Sequence, residues 1–312
     1  MAWLRRFSFL GVQGPTRMTI AACFVSADGI VFGADSTTTM HVADRTTQPA
    51  HALHHYNFAQ KIFEIGENSS LGLVMWGLGN LKTTSYRTLI AQFAAVAKPC
   101  HQLSVQAVAQ SWADFFWSEY SATFAVERTE ARRLAVNMQR TAEEDAKLQE
   151  LEQFLSGGFC LGGCLSHDHV PEAYEILYSP SDEAPRTPEK LQTGTTRFWG
   201  CPNIVQRVLF GADESFFQAI LDSGKWSGSP GELFELLRPH CLGQPLDLPI
   251  REAVDWVHAS IYTTIKTMKF SHLAPYCGGP VEVSVITSDR PFRWVRHKAL
   301  DQAIGDGGGS HD

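Results

Sequence analysis

No apolar stretch in this 312-residue chain reaches the roughly 18–20 residues that a membrane-spanning helix requires. Basic residues are in the minority: 26 Lys and Arg stand against 33 Asp and Glu, for a formal net charge of −7. A protein whose main partner is nucleic acid needs a basic surface to neutralise phosphates, so this balance argues against that class. Cysteine is scattered. There are seven, and the closest pair, Cys160 and Cys164 in FCLGGC, lacks both the tight spacing and the second pair of a zinc site. The cysteines read as buried thiols of a reducing cytosol, which makes the expected location cytoplasmic. No internal repeat and no clear linker interrupt the chain, so one domain is expected, over residues 19–296.

What is present suits an ordinary globular protein with a large core: 44% hydrophobic and 19% charged residues. The opening MAWLRRFSFLGVQGPTR places two arginines before a short apolar run. That run is too short for a signal peptide and no small-x-small cleavage site follows. Residues 1–18 therefore read as a disordered extension, a removable leader or a start assigned too early. Residues 297–312, ending GDGGGSHD, read as a flexible tail.

TIAACFV and GIVFGAD flank SADG, and Asp-Gly between β-favouring runs signals a hairpin over residues 19–35. Residues 37–57 are polar and rich in Thr and His, and are expected to form a loop. KIFEI and LGLVMWG form a second hairpin around GENSS. A helix follows, with Leu81, Tyr86, Leu89, Ile90, Phe93 and Val96 on one face and Lys98-Pro99 at its end. A second helix, from about Ser104 to Val126, carries a core stripe of Val105, Val108, Trp112, Phe115, Phe116 and Tyr120. Residues 127–153 read as a charged, solvated helix, with a partner-binding arm as the alternative. GGFCLGGCL and EAYEILYS form another strand pair, with His167-Asp168-His169 in a polar turn between them. A Pro-rich connection follows, and TRFWG introduces a short helix, CPNIVQRVLFG. SPGELFELL starts a helix with Ser229 as cap, Pro230 in the first position and Glu232 closing a capping box. IREAVDWVHASIYTTIKTMKF is amphipathic, and GGPVEVSVITSD with FRWVRH closes the domain as a hairpin. Segregated blocks of strands and helices point to an α+β fold, not a doubly wound parallel sheet.

Met18-Thr19 opens a chemical possibility. A threonine at a chain N-terminus carries both a nucleophilic hydroxyl and a base, its own α-amine. That amine has an ordinary pKa of about 7.7–8.0, so it is partly neutral near pH 7. The chemistry requires that nothing precede the threonine. Translation from Met18 followed by methionine removal would satisfy this, as would cleavage of a leader. Otherwise Thr19 simply begins a strand.

The segment around it resembles the N-terminal-nucleophile hydrolases of the proteasome β-subunit type. Thr19, Gly29 and GADS at 33–36 fall at that family's spacing without a gap. QKIFEI at 60–65 matches the family's lysine-led strand, MWGLGN its glycine-rich strand end, and GGPVEVSVIT its closing strand. The resemblance is good over 19–97, looser over 154–178, visible again at 278–287 and poor over 179–270. It is closest to the bacterial proteasome-related branch, whose subunits begin Met-Thr. In the full proteasome a glycine usually precedes the threonine; here Met18 does, so a mis-assigned start fits better than self-cleavage.

The resemblance implies a four-layer αββα sandwich and threonine-type peptide-bond hydrolysis. Thr19 would be the nucleophile and amine base, Asp35 and Lys61 a buried ion pair beside it, and the Gly77 N–H an oxyanion donor. Lys61 would lower the proton affinity of the hydroxyl and amine, and Asp35 would hold the lysine charged. It also implies peptide or unfolded-protein substrates, assembly into a ring or other homo-oligomer, and no metal or organic cofactor; it does not identify an ATPase partner. Each residue has a plainer reading on its own. Asp35 can cap a turn through DSTTT, Lys61 can edge a strand, and Gly77, with Gly79 two residues on, can begin the turn into a helix. The stretch between Asp35 and Lys61 is longer than the family's and carries His41, His51, His54 and His55, expected as surface-loop residues. The serine and aspartate that support the amine in the family have no identifiable counterparts. A non-catalytic scaffold subunit and an amidohydrolase acting on a small amide remain the rival readings, since fold alone does not settle function.

Overall fold

A computed structural model describes residues 19–42, 52–97, 104–165, 169–272 and 276–298. The first hairpin is Ile20–Val25 (β1) and Gly29–Ala34 (β2), turning at Asp28-Gly29 as expected. Both strands are buried throughout, and alternation explains why they are apolar at every position. Ile20, Ala22 and Phe24 pack with Val257, Ile261 and Ile265 of the long helix near the chain end. Ala21, Cys23 and Val25 turn the other way and share a cluster with Ile62, Val74, Trp76 and Cys160.

Thr38–Val42 (β3) and Ala52–Tyr56 (β4) pair with each other, so the polar loop expected over 37–57 is a hairpin in its described parts. Thr, Val and Tyr favour a pleated backbone, and ladder pairing outweighs local polarity. Residues 43–51, including His51, and the side chains of His41, His54 and His55 lie outside what the structure describes. Ile62–Glu64 (β5) and Leu71–Gly77 (β6) form the second expected hairpin.

Two helices follow: Tyr86–Ala97 (α1) and Val105–Thr123 (α2). Ser104 caps α2 through a bond from the Ala107 N–H. The expected stripe of α2 is buried except for Phe115, which is partly buried. On α1, Tyr86, Leu89, Ile90 and Phe93 are buried, but Val96 is exposed. Lys98-Pro99 lies outside the described residues. The charged segment is two helices, not one: Ala125–Val136 (α3) and Ala142–Leu155 (α4). Thr141 and Glu144 form a capping box that starts α4 afresh, which is why helical composition alone misses the break. Their charges pair within and between the helices, as in Arg133 with Glu130 and Glu144.

Gly157–Gly163 (β7) and Glu172–Tyr178 (β8) form the third expected pair, while His167 and Asp168 of the turn lie outside the described residues. Glu189–Lys190 (β9) adds a short edge strand. TRFWG is strand, not helix entry: Thr195–Gly200 (β10) runs antiparallel to β1. Asn203–Phe210 (α5), Glu214–Asp222 (α6) and Pro230–Leu237 (α7) follow, the last with the Ser229–Glu232 capping box read from sequence. Ile250–Lys269 (α8) precedes the closing hairpin, Glu282–Thr287 (β11) and Arg290–Arg296 (β12).

The result is an α+β protein, with eight α-helices among the described residues and two five-stranded antiparallel sheets, ordered β10-β1-β2-β11-β12 and β5-β6-β7-β8-β9. One apolar cluster joins α1–α4 to the second sheet, another joins α5 and α8 to the first, and a third draws on both sheets. In the third, the rings of Trp76 and Trp199 stack with centroids 4.3 Å apart. Each large side chain buried in this way contributes about 1.5–3 kcal/mol. Among the described residues no helix is long and apolar enough to cross a membrane.

Candidate functional site

The hairpin turn at Asp28-Gly29 brings the start of β1 back against the end of β2. Register pairs Ala21 with Ala34, so Asp35 lies beside the first residues of β1. The Asp35 N–H donates to the Ile20 carbonyl at 3.0 Å, and the Ile20 N–H donates back to Asp35 Oδ1 at 3.1 Å. Oδ2 accepts from the Thr37 N–H at 3.2 Å and from the Gly278 N–H at 3.0 Å. Three backbone donors thus surround a carboxylate that is fully buried. Its turn-capping role and its placement in the site are one arrangement.

Lys61 enters just before β5, where its carbonyl accepts from the Met75 N–H at 3.0 Å. Its side chain is buried, and Nζ donates to Asp35 Oδ1 at 2.6 Å and to Thr19 Oγ1 at 2.7 Å. An ammonium group has three protons, and two of them are committed here. Charge-assisted bonds of this length in a low-dielectric setting are strong and directional. The structure therefore unites Thr19, Asp35 and Lys61, which the sequence places 16 and 26 residues apart.

Thr19 is itself 4% exposed. Its carbonyl accepts from the Cys201 N–H at 2.7 Å, just beyond the end of β10. Gly77 ends β6, two residues after the Met75 that bonds Lys61, and pairs with Gly157. Its φ is +91°, and a Cβ there would meet the Ser156 carbonyl oxygen at 2.5 Å, so glycine is required. A Cβ on Gly79, two residues on, would meet the Thr38 hydroxyl at 3.3 Å. Thr38 belongs to β3, and Thr37 donates to Asn57 Oδ1 at 3.0 Å.

Sequence reasoning missed a second set of residues around this centre. Gly278 supplies a donor to Asp35 and accepts from the Ser36 N–H at 3.0 Å, while Ser36 Oγ donates to the Pro280 carbonyl at 2.7 Å. Cys201 and Cys277 bring buried thiols to the same neighbourhood. Burial pushes Cys201 up to about 11, with a bond from the Thr19 backbone as the largest opposing influence. Burial likewise raises Cys277, reinforced by the negative charge of Asp35. Both thiols stay protonated and neutral near pH 7. The cue in the sequence was the pair GC at 200–201 and CGG at 277–279, small residues where backbones approach closely, but neither had an assigned partner.

The arrangement can present a threonine hydroxyl under a fixed positive charge whose counter-ion is locked by backbone donors. Among the described residues, no group of three or more His, Cys, Asp or Glu is gathered as a metal ion would need. No protein-family model and no curated protein matches the chain.

Proposed function

We propose that this chain is a threonine-type peptidase of the N-terminal-nucleophile class, with its two sheets and flanking helices layered as an αββα sandwich. One observation carries the reading: a single buried ammonium, that of Lys61, donates to both Thr19 Oγ1 and Asp35 Oδ1. A lysine that only edged a strand would place its charge in water, since burying it costs several kcal/mol, about, unless it is paired.

With residues 1–18 removed, the α-amine of Thr19 takes the hydroxyl proton as Oγ1 attacks a peptide carbonyl. The positive field of Lys61 favours the ionising hydroxyl and keeps the amine from being protonated too readily. The Gly77 N–H is the proposed donor to the tetrahedral oxyanion. Collapse of the intermediate breaks the C–N bond, and the protonated α-amine returns its proton to the leaving amine. Water, deprotonated by the same α-amine, then attacks the Thr19 ester; the acyl C–Oγ1 bond breaks, the amine returns the proton to Oγ1, and the carboxylic acid product leaves. The substrate would be a peptide or unfolded protein, and self-association into a closed assembly is part of the proposal.

The test is the intact mass and N-terminal sequence of protein made without an N-terminal tag, with labelling by an electrophilic probe for N-terminal threonine. A chain beginning at Thr19 that labels, while Thr19→Ala does not, supports the reading. A chain that retains residues 1–18 has an amide where the base must be, and that outcome overturns it in favour of a scaffold role.

A further inference from the structure

A second buried ion cluster lies next to the Asp35–Lys61 pair and takes no part in the chemistry proposed above. Glu282 opens β11 opposite Ala34, the residue before Asp35, and its side chain is fully buried. Two side chains reach it from the segment leaving β12. His297 Nδ1 lies 2.7 Å from Oε1, and Lys298 Nζ lies 2.9 Å from Oε2. The Lys298 side chain is 9% exposed, and its ammonium also donates to the Ala59 carbonyl at 2.9 Å. The Ala59 N–H in turn donates to the Ser36 carbonyl at 2.8 Å, and Lys61 follows two residues later. Lys298 therefore connects the strand beside Asp35 to the segment that delivers Lys61. Burial disfavours the Lys298 charge, Glu282 supports it, and the charges of Lys61 and Arg87 oppose it.

We propose that Glu282 and Lys298 are positioning residues: a charge-neutral staple that holds Ala59–Lys61 against Ser36, so that the Lys61 ammonium reaches Thr19 and Asp35 in an electrostatically balanced site. Two consequences differ from those of a purely structural contact. Removing the Lys298 charge leaves Glu282 negative beside Lys61, which raises proton affinity throughout the site. Removing the Glu282 charge leaves Lys298 positive and lowers it. The double variant restores neutrality but not the bond to Ala59. The kinetic part of this inference rests on Thr19 being the nucleophile; the staple itself does not.

The experiment compares Lys298→Met, Lys298→Arg, Lys298→Gln, Glu282→Gln and the Glu282→Gln/Lys298→Met double variant in the full chain. The first readout is amide hydrogen exchange. Lys298→Met is expected to speed exchange at Ala59 and Met75, while Lys298→Arg keeps it slow. The second is the pH profile of Thr19 labelling. Lys298→Met and Lys298→Gln move its rising limb to higher pH, Glu282→Gln moves it to lower pH, and the double variant returns it towards the parent. Lys298→Met also loses about 10- to 100-fold in labelling rate, the scale on which a misplacement near 1 Å acts. Lys298→Gln keeps a donor without the charge and replaces Lys298→Met if that variant does not fold. Unchanged exchange at Ala59 overturns the staple, and a pH profile that does not move overturns its electrostatic role. If the parent chain does not label at Thr19, the proposed function fails and the exchange arm still decides the staple.

Discussion

Gly200 and Thr19 meet backbone to backbone. Gly200 has φ +83°, and a Cβ built on it would lie 1.9 Å from the Thr19 carbonyl oxygen. The next residue, Cys201, donates its N–H to that same carbonyl at 2.7 Å. β10 thus holds the first described residue of the domain from the side opposite β2.

Gly200→Ala is therefore expected to damage the site twice, by steric contact and by forcing a side chain into a left-handed backbone. The strain is about 1–3 kcal/mol. Urea unfolding should register that loss, and labelling of Thr19 should fall with it. Labelling at the parental rate would show that β10 does not position Thr19.

Lys61→Met leaves the Asp35 carboxylate buried without its ammonium. Breaking a buried pair from one side costs about 3–5 kcal/mol, and the three backbone donors to Asp35 place this case at the lower end. Asp35→Asn should cost a comparable amount by stranding Lys61. The double variant should be more stable than the sum of the two losses implies, a coupling that a double-mutant cycle in urea measures. Strict additivity would mean that the pair does not interact as its 2.6 Å separation indicates.

Thr19→Ala removes one acceptor of Lys61 while leaving the Asp35 pair in place. Stability should drop by only about 0.5–1.5 kcal/mol, the worth of one hydrogen bond. Reaction with the probe should vanish, and Thr19→Ser should retain it. A variant that loses stability far beyond this range would show Thr19 to be chiefly structural.

Burial raises the thiols of Cys201 and Cys164 to about 11, and those of Cys160 and Cys277 in the same direction. An unfolded thiol ionises near pH 8.5, at about that value. Because the folded values lie higher, the unfolded state binds fewer protons in between. Their stabilising contribution is full below the unfolded value and is lost as pH rises through the folded ones. Each such thiol adds a slope of up to about 1.4 kcal/mol per pH unit in that window. Urea unfolding at neutral and at alkaline pH checks this, and replacing Cys201 with Ser should reduce the alkaline loss.

Much of the site could be read before folding because its parts are local. Thr19 and Asp35 belong to one hairpin, and an Asp-Gly turn between apolar runs brings hairpin ends together. The capping boxes at Ser229 and Thr141 are equally local, but the second lies inside a charged segment that suits helix throughout, which masks the helix start there. β10 escaped because TRFWG has no alternation of its own and gains its strand character by pairing with β1. The β3–β4 hairpin escaped because its polar residues resemble a loop.

The sequence by itself determined the elements whose periodicity, turns and caps lie within a few tens of residues, while Thr19, Asp35 and Lys61 were grouped only by a family resemblance. Only the tertiary structure decided that one ammonium bridges the other two, that Gly278 completes the Asp35 shell and that Gly200, Glu282 and Lys298 stand around it. Gly278, Glu282 and Lys298 come from the far end of the chain, and Gly200 from well beyond the first hairpin. Their meeting depends on sheet order and on the packing of two sheets, and no local propensity encodes either.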